Sequence, residues 1–215
     1  MRPNDFAAEF INDLESLPEL TTAPMRKLRR KYSKRLSDKE ALYVLEVVHS
    51  ILYSGKYRWI VYEFIQDHHD AFHSLDRKSL EALGRGMNSW SSVDCFSRTL
   101  SGPAWRDGLI SEDTIRDWAL SPDRWWRRAA LVSTVALNIR SYGGKGDAGN
   151  TLAICEMLIE DHDDMVVKAL SWALRALIAH NPAEVERFLC AHNDVLASRI
   201  KREVRNKLET GLKNP

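Results

Sequence analysis

The chain has 215 residues, of which 44% are hydrophobic, and this length suits one or two globular domains with a sizeable core. Its 31 basic and 30 acidic residues nearly cancel, so a nucleic-acid surface must come from local clustering of charge and not from net charge. No run of about 18 apolar residues occurs, so no membrane span is predicted.

Three cysteines, Cys95, Cys155 and Cys190, share no metal-ligand spacing and cannot all pair with one another. The N-terminal stretch is acidic and amphipathic, and it lacks the apolar core that is typical of a signal peptide. We therefore expect a reducing compartment, by default the cytoplasm.

Helical periodicity accounts for nearly the whole chain, and no alternating stretch is long enough to predict a strand. A first helix is predicted over residues 5–17, and Thr22 with Pro24 introduces a second one that ends at Leu36. The second helix carries seven cations and no acid between them, namely Arg26, Lys27, Arg29, Arg30, Lys31, Lys34 and Arg35. This density indicates either a solvated basic face or a phosphate-binding one, in which Lys27 and Arg30 are the candidate DNA contacts.

The middle of the chain is predicted as a series of helices separated by polar turns. They cover residues 37–52, 56–72, 74–87, 89–100 and 111–120. Ser89 is the expected cap of the fourth, which should stop at Ser101, Gly102 and Pro103. A central helix follows over residues 121–138, with Ser121 as its cap and Pro122 in the first helical position. It is apolar on two sides, which is typical of a helix packed between neighbours.

The last part of the chain begins with a glycine-rich segment, residues 141–150, which is predicted to be a mobile loop between repeats and not a phosphate loop. Helices are expected over residues 151–161 and 163–180. Asn181 and Pro182, with Glu184 in capping-box position, introduce another helix, and a basic helix ends the chain.

An internal repeat joins the central helix to a later one. Residues 123–131 and 163–171 align without gaps about 40 residues apart, the spacing of HEAT-type repeats. The repeat predicts an all-α fold, in which one domain over residues 1–215 stacks helical pairs into an α-solenoid with a concave inner surface.

Arg128 projects into the apolar arc of the central helix, where an arginine must find a partner. The repeat puts Lys168 at the equivalent position, and Trp172 and Arg175 share a face with Lys168. Two arrangements stay open for Arg128: contact with a phosphate, or a buried pair with Asp94 or Asp123.

Trp90 and Asp94 stand four residues apart at the start of a helix, so both side chains lie on one face. One interpretation is a tryptophan packed in the core with an aspartate paired to an arginine. The other is a functional pair, in which the carboxylate stabilises a developing positive sugar inside a basic groove.

His69 and His73 stand one helical turn apart, as two metal ligands would, but no third ligand is evident. An exposed polar helix end is the preferred interpretation. No metal site is therefore predicted.

Three segments together resemble a known family: the run from Trp90 to Asp94, WWRRAALVSTVALN, and VVKALSWALRA. They are similar, in the same order, to the DNA alkylation repair family, the AlkD-type DNA glycosylases built of HEAT-like repeats. The likeness extends from the PMRKLRR helix at Pro24 to about Leu189.

The resemblance implies a right-handed solenoid whose concave basic face holds duplex DNA and which hydrolyses the N-glycosidic bond of N3- or N7-alkylated purines. It implies no cofactor and no metal. Asp94 matches the catalytic aspartate, Trp90 and Trp172 the two groove tryptophans, and Arg128 the groove arginine. We expect a monomer, with further DNA contacts from Arg127, Lys168, Arg175, Lys27 and Arg30.

A second hypothesis is a HEAT-like solenoid without chemistry, which binds branched or distorted DNA or serves as a protein scaffold. The N-terminal helices match the family only through the PMRKLRR segment, and loss of excision can accompany reduced N-terminal helices. The cations at Arg128 and Lys168 favour DNA over a protein partner.

Overall fold

The computed structural model describes residues 1–215 and contains helices but no strands. The predicted all-α class is confirmed, and the succession of packed helices is consistent with an α-solenoid of helical repeats. The chain forms two compact units, Met1–Gly86 and Met87–Pro215. None of its helices combines the length and the apolar character needed to cross a membrane.

The first unit is built from six helices around an aromatic core. They are α1 (Pro3–Glu15), α2 (Thr22–Leu36), α3 (Ala41–Tyr53), α4 (Arg58–Gln66), α5 (His69–His73) and α6 (Arg77–Gly84). Helix α1 packs against α3, and α2 packs against α4. Phe10 lies at the centre, with its ring centroid 5.1 Å from those of both Tyr32 and Phe64. These edge-to-face contacts hold α1, α2 and α4 together.

The helix predicted over residues 56–72 is in fact two helices. Helix α4 ends before Asp67, and the ring of His68 accepts a hydrogen bond from the backbone N–H of Ala71 at 3.1 Å, which begins α5. The rings of His69 and His73 stack 4.1 Å apart on the exposed side of α5. The structure contains no group of three side chains able to hold a metal ion.

The second unit places one long helix at its centre. Its helices are α7 (Trp90–Phe96), α8 (Gly102–Arg106), α9 (Glu112–Ala119), α10 (Arg124–Asn138), α11 (Ala148–Met157), α12 (Asp164–Leu177), α13 (Pro182–Ala191) and α14 (Ser198–Thr210). A π-helical turn, Ser97–Ser101, joins α7 to α8, and a 3₁₀ turn, Arg140–Tyr142, follows α10. Helix α10 packs against α7, α8, α9, α11 and α12, as its two apolar sides predict.

The two aligned segments of the repeat begin with the same cap. The carboxylate of Asp123 accepts from the N–H of Trp125 at 2.9 Å, and Asp163 accepts from Met165 at 2.8 Å. The predicted cap at Ser121 is therefore wrong, and α10 starts three residues later. An aspartate at this position also suits the positive end of the helix dipole.

The predicted helix stop at residues 101–103 is also wrong, because the chain continues through the π-helical turn into α8. Proline fits the first turn of a helix, so Pro103 does not interrupt it. A β-carbon on Gly102 would lie 2.6 Å from both the Cβ of Ala136 and the carbonyl oxygen of Ser133. Glycine at this position therefore allows α8 to approach α10 closely.

The predicted capping box at the start of α13 does not form. Asn181 makes no side-chain cap, and Glu184 pairs with Arg187 instead. The glycine-rich loop before α11 is tied down by backbone bonds, among them Gly146 to the carbonyl of Leu137 at 3.0 Å.

Candidate active site

Helix α7 presents Trp90 and Asp94 because its other face is buried. Val93 and Phe96 are fully buried, and the ring of Phe96 meets that of Trp126 edge-on at 6.0 Å. Trp90 stays 59% exposed, so it is not the core tryptophan that the sequence left open as an alternative. An exposed indole of this size is available to a ligand.

Asp94 and Arg128 form a bidentate ion pair. The Nε of Arg128 donates to Oδ1 at 2.8 Å and Nη2 donates to Oδ2 at 2.9 Å, while Nη1 donates to the carbonyl of Met165 at 2.5 Å. The side chains of Arg128 and Asp94 are only 6% and 13% exposed. Of the arrangements left open for Arg128, the structure has the buried pair with Asp94, and this geometry argues against a direct phosphate anchor at Arg128.

Burial raises the pKa of the Asp94 carboxyl above its ordinary value. The hydrogen bonds and charge of Arg128, together with the charge of Arg98, act in the opposite direction but do not cancel the effect of burial. The two hydrogen bonds from Arg128 fix the orientation of the carboxylate. Because its pKa is raised, Asp94 takes up a proton at a higher pH than an exposed aspartate does.

Trp172, on α12, is half-buried and contacts Arg98, whose charge acts on Asp94. The guanidinium carbon of Arg98 lies 5.6 Å from the centroid of the Trp172 ring and 4.4 Å from that of Tyr142. The sequence prediction missed Arg98 and Tyr142. Arg98 stands four residues after Asp94, a spacing that indicates a shared helix face, whereas Tyr142 lies beyond the end of α10 and has no comparable pattern.

Two of the predicted DNA-binding cations form ion pairs within the second unit. The Nε of Arg127 donates to Asp161 at 2.6 Å, and Lys168 pairs with Asp164, one turn away, at 2.6 Å. Lys168 and Arg128 are equivalent in the repeat but do not share a partner. Lys168 is more exposed than Arg127, so it can exchange its carboxylate for a phosphate more readily.

The third predicted cation, Arg175, is mostly buried. Its Nε donates to the hydroxyl of Ser171 at 3.2 Å, and its guanidinium lies 3.9 Å from Glu203 of α14. Ser171 in turn donates to Glu203 at 2.7 Å. Burial lowers the pKa of Arg175, and the charge of Glu203 opposes that effect. This cluster ties α12 to α14.

The basic helix α2 of the first unit divides into a paired side and an open side. Arg29 is buried and forms ion pairs with Glu63, at 3.0 Å, and with Asp67. Arg35 pairs with Glu9 at 2.8 Å. These arginines hold the unit together and are not available to a ligand.

Lys27 and Arg30 lie on the open side of α2, are exposed, and have no acidic partner. With Lys31 they border a cavity of 870 Å³ whose apolar lining includes Leu17 and Leu28. These cations are therefore available to a negatively charged ligand.

A family model described as DNA alkylation repair enzyme matches residues 7–208. No curated protein and no solved structure matches the chain.

Proposed function

Because the chain belongs to the DNA alkylation repair enzyme family, we propose that it is a DNA glycosylase for cationic N3- or N7-alkylated purines in duplex DNA. Membership of the family implies DNA repair and binding to DNA. The observation that carries the proposal is an oriented, nearly buried carboxylate, Asp94, with the exposed indole of Trp90 on the same helix.

The proposed reaction breaks the glycosidic bond between C1′ of the deoxyribose and N9 of the purine, whose alkylation at N3 or N7 has made the base cationic. The electron pair of that bond moves to the base and neutralises its positive charge, so the base is a good leaving group. The sugar becomes positively charged, and the Asp94 carboxylate stabilises that charge. Water adds to C1′ and gives up a proton, first to Asp94 and then to solvent. The products are the free base and an abasic site, and no cofactor takes part.

Arg128 acts on this reaction through Asp94. Its two hydrogen bonds use one lone pair on each carboxylate oxygen, which leaves further lone pairs for the sugar and for a water molecule. Trp90 and Trp172 offer ring faces, to which a cationic purine is attracted more strongly than a neutral one. We therefore expect cationic lesions to be preferred.

Contact with the DNA backbone is assigned first to Lys27 and Arg30, which are exposed and have no acidic partner. Lys168 can add a contact by releasing Asp164. Arg127 and Arg175 are held by their own partners, so we expect a smaller contribution from each. The protein is proposed to act as a monomer.

The test is release of N7-methylguanine and N3-methyladenine from methylated duplex DNA by the purified protein. Asp94→Asn is the paired variant, because it keeps the size of the side chain and removes its charge. We expect release by the wild type, a loss of at least a hundredfold in the variant, and unchanged affinity for unmodified duplex. A neutral adduct should be released from duplex DNA much more slowly.

The second candidate is binding to distorted DNA without excision. Its support is that Arg128 already bonds both carboxylate oxygens of Asp94, a pairing that needs no catalytic role, while Lys27 and Arg30 remain exposed for contact with phosphates. Salt-sensitive DNA binding with no base release from the wild type would favour this candidate over the glycosylase.

A further inference from the structure

Arg98, four residues after Asp94, makes cation–π contacts with two aromatic rings. Its guanidinium carbon is 4.4 Å from the centroid of Tyr142 and 5.6 Å from that of Trp172. Both distances are within the range of cation–π attraction. The rings come from different elements, the 3₁₀ turn after α10 and helix α12, so Arg98 links the two.

The backbone that carries Arg98 is fixed to the central helix. Arg98 belongs to the π-helical turn, whose two ends contact α10: the hydroxyl of Ser97 donates to the carbonyl of Ala129 at 3.3 Å, and those of Ser101 and Ser133 lie 2.7 Å apart. Single π-helical turns occur frequently at functional sites. These buried contacts therefore fix the backbone position of Arg98.

Arg98 also adds positive charge beside Asp94. The charged groups that act on this carboxylate are Arg128 from α10 and Arg98 from the π-helical turn, and Arg128 also interacts with the charge of Asp164 of α12. Arg128 already uses both carboxylate oxygens. The charge of Arg98 favours the ionised form of Asp94, against the effect of burial.

We propose that Arg98 is a positioning residue of this site, which fixes the indole of Trp172 through a cation–π contact and supplies a second positive charge that acts on the buried carboxylate of Asp94. The proposal rests on the proposed function for its catalytic consequence. The effect of the Arg98 charge on the ionisation of Asp94 is a property of the folded protein and can be measured without substrate.

The experiment compares Arg98→Met, Arg98→Lys and the wild type by single-turnover release of N7-methylguanine between pH 4 and pH 9. We expect Arg98→Met to be slower by about tenfold and the acidic limb of its pH profile to move to higher pH. Arg98→Lys keeps the charge but loses the planar stack, so its acidic limb should stay near that of the wild type while its rate falls. The matched control is Arg140→Met, an exposed arginine on the turn that carries Tyr142, which should behave as wild type.

Carboxyl NMR titration of Asp94, assigned with Asp94→Asn, separates this proposal from the proposed function. An upward shift of the Asp94 pKa in Arg98→Met, without a shift in Arg98→Lys, supports the electrostatic role even if the wild type releases no base. An unchanged Asp94 titration in a folded Arg98→Met protein would overturn it. Faster release by Arg98→Met would overturn it as well, because Arg98 would then be a cation that competes with the base for Trp172.

Discussion

Arg128 donates hydrogen bonds to both carboxylate oxygens of Asp94, from Nε to Oδ1 at 2.8 Å and from Nη2 to Oδ2 at 2.9 Å. Its third nitrogen, Nη1, donates to the carbonyl of Met165. This relationship joins three helices, α7, α10 and α12, at one guanidinium group. Arg128 projects from the apolar side of α10 and needs an acidic partner, and in pairing with Asp94 it fixes the orientation of the proposed catalytic carboxylate. Arg128 and Asp94 should therefore behave as one unit in mutagenesis.

Removal of Arg128 leaves a nearly buried carboxylate without its partner. We expect Arg128→Met to lower the free energy of unfolding by about 3–5 kcal/mol in a urea titration. The double variant Asp94→Leu with Arg128→Met should recover most of that loss, since it removes both charges. Affinity for unmodified duplex should change little in either protein. A large drop in DNA affinity with little loss of stability would instead make Arg128 a phosphate contact.

The raised pKa of Asp94 predicts a pH dependence of excision. The proposed mechanism needs the ionised carboxylate, and burial makes Asp94 bind its proton at a higher pH than an ordinary aspartate. Activity should therefore be full well above that pKa and fall as the pH is lowered through it. A single-turnover pH profile should show an acidic limb above the ordinary range of aspartate. A limb at or below that range would mean that the ion pair with Arg128 outweighs burial.

Trp90 is predicted to serve function and not stability, because it is 59% exposed. We expect Trp90→Ala to change the free energy of unfolding by no more than about 0.5 kcal/mol. Its rate of base release should fall by about tenfold or more, in line with about 1–3 kcal/mol for stacking of a base on an aromatic ring. The control is Tyr53→Ala in the first unit, where an aromatic ring is 94% exposed. If Trp90→Ala were as active as Tyr53→Ala, Trp90 would have no part in base release.

The open side of α2 predicts a salt effect on DNA affinity. Lys27→Ala and Arg30→Ala should each reduce the slope of log affinity against log salt by about 1, because each cation releases about one counterion from DNA. Lys56→Ala is the matched control, since Lys56 is exposed but already paired with Glu15 at 2.9 Å. Binding isotherms at several salt concentrations give the slopes. If all three variants kept the wild-type slope, α2 would have no part in phosphate contact.

Much of the fold was predictable because its causes are local. Helical periodicity predicted the all-α class, whereas the cap of the central helix was placed at Ser121, two residues before the aspartate that forms it. The break before α5 was not predictable in this way. Its cap is a histidine ring, His68, and histidine is not among the residues that usually cap helices.

The sequence indicated that Arg128 needs a partner, but it did not decide which acidic residue that partner is. The apolar arc around Arg128 shows that this arginine needs a partner, but the choice between Asp94 and Asp123 depends on how α7 packs against α10. Arg98 was missed for a similar reason. Its contacts with Tyr142 and Trp172 depend on how the π-helical turn packs against the 3₁₀ turn after α10 and against α12, and no sequence pattern predicts that packing.

Gly102 connects the packing of the second unit to the site, because it lies at the end of the turn that carries Arg98. A β-carbon there would lie 2.6 Å from both the Cβ of Ala136 and the carbonyl oxygen of Ser133, on the rigid central helix. We expect Gly102→Ala to lower the free energy of unfolding by about 1–3 kcal/mol, and to slow base release by displacing the turn. Gly149→Ala is the control, since its nearest neighbour is 3.9 Å away and alanine in a helix should stabilise by about 0.5–1 kcal/mol. Urea unfolding of the two variants gives the comparison, and equal stability would show that α8 can move away from α10 at little cost.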